Sequence, residues 1–142
     1  MTIDWAALTP ELYVTDIAKS LEFYVDVLGF EVLFDRPEEK FAYLAIGKAQ
    51  LMLEQIGDTQ ERSWQTGGLE YPLGRGINFQ IEVPNAAKLI SSLEAINHPF
   101  YRELEERWYR AGNTLEGQKQ FLVQDPDGYL LRFCEILGSK PV

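Results

Sequence analysis

Apolar and polar residues alternate from Leu8 to Thr15, with Leu12 and Val14 on one side and Glu11 and Tyr13 on the other. A period of two predicts a half-buried strand. Asp16 follows as a good N-cap, and Ile17, Leu21, Tyr24 and Leu28 then recur at helical spacing, which predicts a helix. Gly29 ends that helix as a residue free to take positive φ. Three strands are predicted next, Phe30 to Asp35, Phe41 to Ile46 and Ala49 to Gln55, with Gly47-Lys48 as a tight hairpin between the last two.

The pattern then repeats. Val14-Thr15-Asp16-Ile17-Ala18-Lys19 returns as Val83-Pro84-Asn85-Ala86-Ala87-Lys88, 69 residues later. The second copy predicts a strand from Ile77 to Val83, the cap Asn85, a helix from Ala86 to Ile96 and a strand from Phe100 to Tyr109. A loop over Arg110 to Gly117 and a closing hairpin, Gln118 to Gln124 and Tyr129 to Ile136, complete it. Asp125-Pro126-Asp127-Gly128 makes the last turn, since proline presets φ and glycine supplies positive φ for re-entry into a strand.

Each half therefore reads βαβββ, and the fold class is α+β: two modules in tandem forming curved mixed sheets around a cleft. A single domain over 1–142 is expected, with module one about 5–56, a polar link 57–75 and module two about 76–138. Two helices cannot cover both faces of eight strands, so each sheet buries one face and leaves the other open. Leu12, Val14, Phe79, Ile81 and Val83 belong under the helices. By alternation Thr9, Glu11 and Tyr13, with their twins Asn78, Gln80 and Glu82, belong to the cleft.

Composition narrows the picture. A chain of 142 residues, 46% apolar, can bury a real core. No run approaches the ~18 apolar residues of a membrane span, and the N-terminus lacks the basic start of a signal peptide. The one cysteine, Cys134, fits a reducing, cytoplasmic setting. The net charge of −9 argues against a nucleic-acid or anionic-membrane partner and is permissive for a cationic ligand, with solubility as the competing reason for the acidity.

Catalytic signatures are absent from the pattern. Ser20 has no histidine near it in sequence, Cys134 sits on a predicted strand without a base and reads as a buried structural thiol, and Gly74-Arg75-Gly76 is too short for a phosphate loop. The only histidine, His98, precedes Pro99 and reads as a turn residue. Paired carboxylates, Glu11 and Glu54, could face one cavity and leave acid–base chemistry open.

Val14-x-Asp16-x-x-x-Ser20-x-x-Phe23-Tyr24, Leu28-Gly29-Phe30 and the closing Asp125-Pro126-Asp127-Gly128-Tyr129 resemble the vicinal-oxygen-chelate superfamily of glyoxalases, extradiol dioxygenases and bleomycin-resistance proteins. The resemblance spans nearly the whole chain and implies paired βαβββ units, usually in a homodimer. The superfamily's metal enzymes carry ligands on the first and last strands of each copy. The resemblance puts those positions at Thr9, Asn78, Glu54 and Arg132, of which only Glu54 is a strong metal ligand. No metal, cofactor or catalytic residue is therefore expected, and Arg132 could pair with Glu54.

Thr9-Pro10-Glu11-Leu12, Leu51-Met52-Leu53-Glu54 and the arginine at the last position are most similar to the bleomycin-resistance branch. That likeness implies a non-catalytic protein sequestering a cationic aromatic drug in clefts at a dimer interface. Aromatic surfaces and carboxylates are what such a drug needs. The ligand-binding candidates are Glu54, Asn78, Arg132, Thr9, Glu11, Phe34, Tyr43, Trp64, Trp108 and Tyr109. Packing or dimer contact is the competing role for the aromatics. A superfamily enzyme, using Glu54, Asn78 and Gln80 as unusual ligands or Glu54 as a base, and a binder of some other metabolite are the alternatives.

Overall fold

Pro10 sets where the first strand begins. It has no N–H, and its carbonyl accepts from Met52 N at 2.8 Å, so β1 runs over Glu11–Val14 rather than from Leu8. In this computed structural model, which describes residues 2–57 and 64–142, Asp16 caps α1 (Ile17–Leu21) by accepting from Ala18 N and Lys19 N. Residues 58–63 of the expected link lie outside the described residues. The helix does not continue as an α-helix. It widens into a π-helical stretch, Glu22–Val27, where Leu28 N reaches back five residues to Phe23 O. The wider turn puts both Phe23 and Tyr24 in the core.

β2 (Glu31–Arg36), a 3₁₀ turn at Pro37–Glu39, β3 (Phe41–Ile46) and β4 (Ala49–Gln55) complete module one. Module two repeats the plan with β5 (Asn78–Glu82), α2 (Ala86–Ala95), β6 (Arg102–Ala111), β7 (Thr114–Gln124) and β8 (Leu130–Pro141). The sheet orders are β1-β4-β3-β2 and β5-β8-β7-β6, and in each the first strand pairs parallel to the last. The two βαβββ modules thus have one topology. They also share a cap that no N-cap rule predicts: Gln55 Oε1 accepts from Ile17 N and Glu135 Oε1 accepts from Ala86 N, both at 2.9 Å. Each last strand satisfies an orphan amide of its own module's helix.

One expected loop is a correction. Arg110 to Gly117 is not a loop but a two-residue hairpin, Gly112-Asn113, between strands that run on to Ala111 and from Thr114. Gly112 takes φ +67° there. The extra residues of the second copy lengthen β6, β7 and β8 instead of forming a loop.

The inward faces follow the alternation. Leu12, Val14, Ala42, Leu44, Leu51 and Leu53 from module one join Ile81, Val83, Phe121, Val123, Leu131 and Phe133 from module two in one apolar cluster. The modules are also tied by polar groups around the Asp125-to-Tyr129 turn. Tyr24 OH donates to Asp125 Oδ2 at 2.7 Å, Thr15 Oγ1 donates to Asp127 Oδ1 at 2.6 Å, and Tyr129 OH donates to Tyr13 O at 2.8 Å. His98 belongs to this junction, its Nε2 2.7 Å from Gln124 O and its ring 4.8 Å from that of Phe23.

Candidate functional site

The open face of module one is built by alternation along four strands. Glu11 and Tyr13 of β1, Gln50, Met52 and Glu54 of β4, Phe41 and Tyr43 of β3 and Phe34 and Arg36 of β2 all lie opposite the core residues. Phe34 stacks on Tyr43 with ring centroids 5.2 Å apart, and Trp5 meets both edge-on at 5.8 and 5.0 Å. Arg36 lies 4.0 Å over the Phe41 ring and is held by Glu39 at 2.6 Å. The wall is fastened through Gln50. Its Oε1 accepts from Tyr43 OH and Ala6 N, and its Nε2 donates to Asp4 O. Thr9 Oγ1 lies 3.0 Å from Tyr43 OH.

Glu11 and Glu54 meet on this face and share a hydrogen bond. Burial and then the Glu54 carboxylate push the Glu11 carboxyl above its ordinary value, opposed by Arg36. Trp64 stands at the rim, 60% exposed, with its backbone N–H donating to Tyr13 OH at 2.8 Å. Glu11, Glu54, Thr9, Phe34, Tyr43 and Trp64 are therefore brought to one face. Trp5 joins them unforeseen; a lone tryptophan before the first strand gives no periodic signal.

The open face of module two holds a different set. Asn78, Arg102, Glu105, Arg107, Tyr109, Gln120, Leu122 and Arg132 line a cavity of about 400 Å³. Asn78, Arg132 and Tyr109 are there as a group, away from Glu54. The expected Glu54–Arg132 pair is a correction: the residues sit on different sheets, and among the described residues the one ion pair is Arg36–Glu39. Trp108 is apart from both faces. It projects from β6 on the side opposite Tyr109, over Gly117, with Lys140 Nζ 4.0 Å above its ring. Between the modules a further cavity of about 280 Å³ is lined by Pro10, Gln50, Leu51, Asn78, Phe79 and Gln80.

Strand register revises one equivalence. Glu11 lies opposite Met52, and its twin Gln80 lies opposite Arg132. Tyr13 lies opposite Glu54, and its twin Glu82 lies opposite Cys134. The counterpart of Arg132 is thus Met52, and Glu54 is two residues further on, the counterpart of Cys134. The helix-capping twins Gln55 and Glu135 set the same 80-residue offset. Thr9, Met52, Asn78 and Arg132 offer hydroxyl, thioether, amide and guanidinium groups. That donor set does not fit a divalent transition ion, and among the described residues no three His, Cys, Asp or Glu side chains converge. Cys134 is buried, and burial pushes its thiol up.

Tandem βαβββ modules, each with one covered and one open sheet face, define a paired-module class of small domain. The sequence model of the Glyoxalase/Bleomycin resistance protein/Dioxygenase superfamily matches residues 2–133, and the chain belongs to that superfamily. It is 27% identical over 140 residues to the bleomycin resistance protein of Geobacillus stearothermophilus, covering 92% of this chain and 96% of that one. It is 28% identical over 127 residues to the lactoylglutathione lyase of Escherichia coli O157:H7, covering 87% of each. A crystal structure of a protein of unknown function from Agrobacterium tumefaciens strain C58 shares the fold, with TM-score 0.71, 24% identity and coverage of 96% of this chain and 98% of that one.

Proposed function

We propose that this protein is a non-catalytic binder that sequesters a cationic aromatic small molecule of the bleomycin type, acting as a homodimer with the ligand in a cleft between subunits. The observation that carries the reading is the aromatic wall of Trp5 and Phe34, backed by the buried Tyr43, beside the Glu11–Glu54 carboxyl pair. A flat ring system finds a stacking surface there, and its cationic tail finds two carboxyls. The likeness to bleomycin resistance proteins over nearly the full length supports the same reading. An enzymatic reading has the likeness to lactoylglutathione lyases behind it, but the donor set at the four family positions does not.

Titration of metal-free bleomycin into the protein by calorimetry, with tryptophan emission followed in parallel, tests this. The expected result is saturable binding near one drug per subunit, with Kd about micromolar and weakened at least about tenfold by Glu54→Gln. Sedimentation of the same samples is expected to give a dimer. Absence of heat and of any emission change defeats the drug assignment.

A further inference from the structure

Each module's last hairpin turns toward the start of the other module's helix, and the two junctions are filled differently. The turn between β7 and β8, residues 125–129, puts Asp127 against the start of α1. Its carboxylate accepts there from Thr15 N at 3.2 Å and from Thr15 Oγ1 at 2.6 Å. The matching turn between β3 and β4 is only Gly47-Lys48. The residue that matches Thr15 in the repeat is Pro84, which has neither an N–H nor a hydroxyl to offer. Where module two's turn closes its junction with a carboxylate, module one's short turn leaves a cavity of about 450 Å³ between the end of the first helix and the start of α2. The cavity shares no residue with the open face of either module.

Its lining combines an apolar floor with two opposite charges. Val27, Leu28, Ile46, Val83 and Leu89 form the floor. Asp26 comes from the π-helical stretch and Lys88 from α2. Neither belongs to an ion pair among the described residues, so a carboxylate and an ammonium line one cavity without neutralising each other at contact distance. Asn85 stands beside Lys88. Its Oδ1 accepts from Lys88 N at 3.3 Å, which leaves its two amide hydrogens as donors.

These charges select a ligand. A plain carboxylate that meets Lys88 also meets Asp26, and the net charge of −9 adds to the repulsion. A plain amine gains Asp26 but meets Lys88. A molecule with both groups satisfies both, and an aliphatic body covers the floor. The volume falls within the ~300–1,000 Å³ of small-molecule sites.

We propose that this cavity between the modules binds a small zwitterion with an aliphatic body, of the amino-acid type, with Lys88 and Asn85 taking its carboxylate and Asp26 its ammonium group. The site stands whether or not the acidic aromatic face of module one binds a cationic drug.

The test is calorimetric titration of L-leucine, of 4-methylpentanoate and of 3-methylbutylamine into the full-length protein at constant ionic strength. The last two each keep one of leucine's two charges. Wild type, Asp26→Asn, Lys88→Gln and Lys19→Gln are compared. Lys19 matches Lys88 in the repeat, but its helix start is the one Asp127 closes. One saturable leucine site is expected, with Kd about 1 mM or tighter and at least about tenfold tighter than for either analogue. Asp26→Asn is expected to weaken leucine about tenfold and to abolish its advantage over 4-methylpentanoate. Lys88→Gln is expected to do the same with respect to 3-methylbutylamine. Lys19→Gln changes leucine binding less than about twofold. All three substituted residues are exposed, so their variants report binding rather than folding. No saturation by about 10 mM leucine overturns the proposal. So does 4-methylpentanoate binding as tightly as leucine to wild type, which would mark a plain anion site. An equal loss in Lys19→Gln would also overturn it, since that would mean diffuse attraction. The leucine titration uses neither bleomycin nor any residue of the module-one face, so its outcome is separate from that of the drug titration.

Discussion

Tyr24→Phe removes one oxygen from the junction between the modules and leaves the ring. Tyr24 is fully buried, and its edge-on contacts with Phe23 and Phe30 survive the change. What is lost is the 2.7 Å hydrogen bond to Asp125 Oδ2. Asp125 is pushed up to about 6, first by burial, against hydrogen bonds from Tyr24, Tyr129 N and Asp127 N that lower it. A rise from 3.8 to about 6 corresponds to about 3 kcal/mol for keeping this carboxylate ionised in the fold. The sign follows from linkage. The folded value lies above the unfolded one, so the favourable contribution is complete below pH ~4 and is lost as pH rises through ~6. Removing the Tyr24 donor raises the folded value further, so the extra destabilisation appears only where Asp125 would be ionised. A neutral hydrogen bond is worth about 1 kcal/mol and one to a charged group about 1.5–3. Urea unfolding followed by tryptophan emission is therefore expected to show a loss of about 1 kcal/mol near pH 5 and about 2–3 near pH 8. A loss of equal size at both pH values would refute the assignment of Asp125 as the group that carries the strain.

Two further substitutions and one chemical probe check other parts of the fold. Gly128→Ala is expected to destabilise by about 3 kcal/mol or more, because Gly128 has φ +85° and an added Cβ would lie 2.6 Å from Pro72 Cα. Gly112→Ala, with φ +67° and nothing within 4 Å of the added Cβ, is expected to lose only about 1 kcal/mol. Thermal unfolding of the pair measures both, and equal losses would contradict the packing argument. Cys134, fully buried with its thiol pushed up, is expected to react with Ellman's reagent only at the rate of global opening, and a burst of labelling in native protein would contradict its burial.

Much of the scaffold was legible because it rests on local rules. The caps Asp16 and Asn85, the alternation in β1 and β5, and the turn at Asp125 to Gly128 each have a short-range cause, and the repeat made each copy a check on the other. The junction was visible only as a motif; that Asp125 and Asp127 accept from Tyr24 and Thr15 about a hundred residues away has no local signature. The long hairpin was missed although Ala111-Gly112-Asn113-Thr114 carries a two-residue turn signal. The strand pairing across that hairpin is what adds Glu105, Arg107 and Gln120 to Asn78, Tyr109 and Arg132 in the module-two cavity. Once β6 runs through Glu105, Arg107 and Tyr109 at a period of two, and β7 through Gln118 and Gln120, their side chains share a face. Counting spacing along separate strands also misplaced Glu54 by one pleat, because equivalence between copies is set by pairing register.

That register accounts for how one repeated module acquired two chemistries. At matched slots, Glu11 stands where module two has Gln80, Met52 where it has Arg132, and Glu54 where it has Cys134. Each twin pair has different side chains on the same backbone. Module one keeps two carboxyls among aromatic rings, and module two keeps guanidiniums among amides. The pleat turns these residues away from the shared core, to which their neighbours in the strand are committed, although Cys134 is itself buried. Divergence was therefore free at the outward slots and constrained at the inward ones. The same slots exclude a metal by the chemistry of their side chains, and they leave the two open faces oppositely charged, which suits capture of ligands by charge and stacking rather than by coordination.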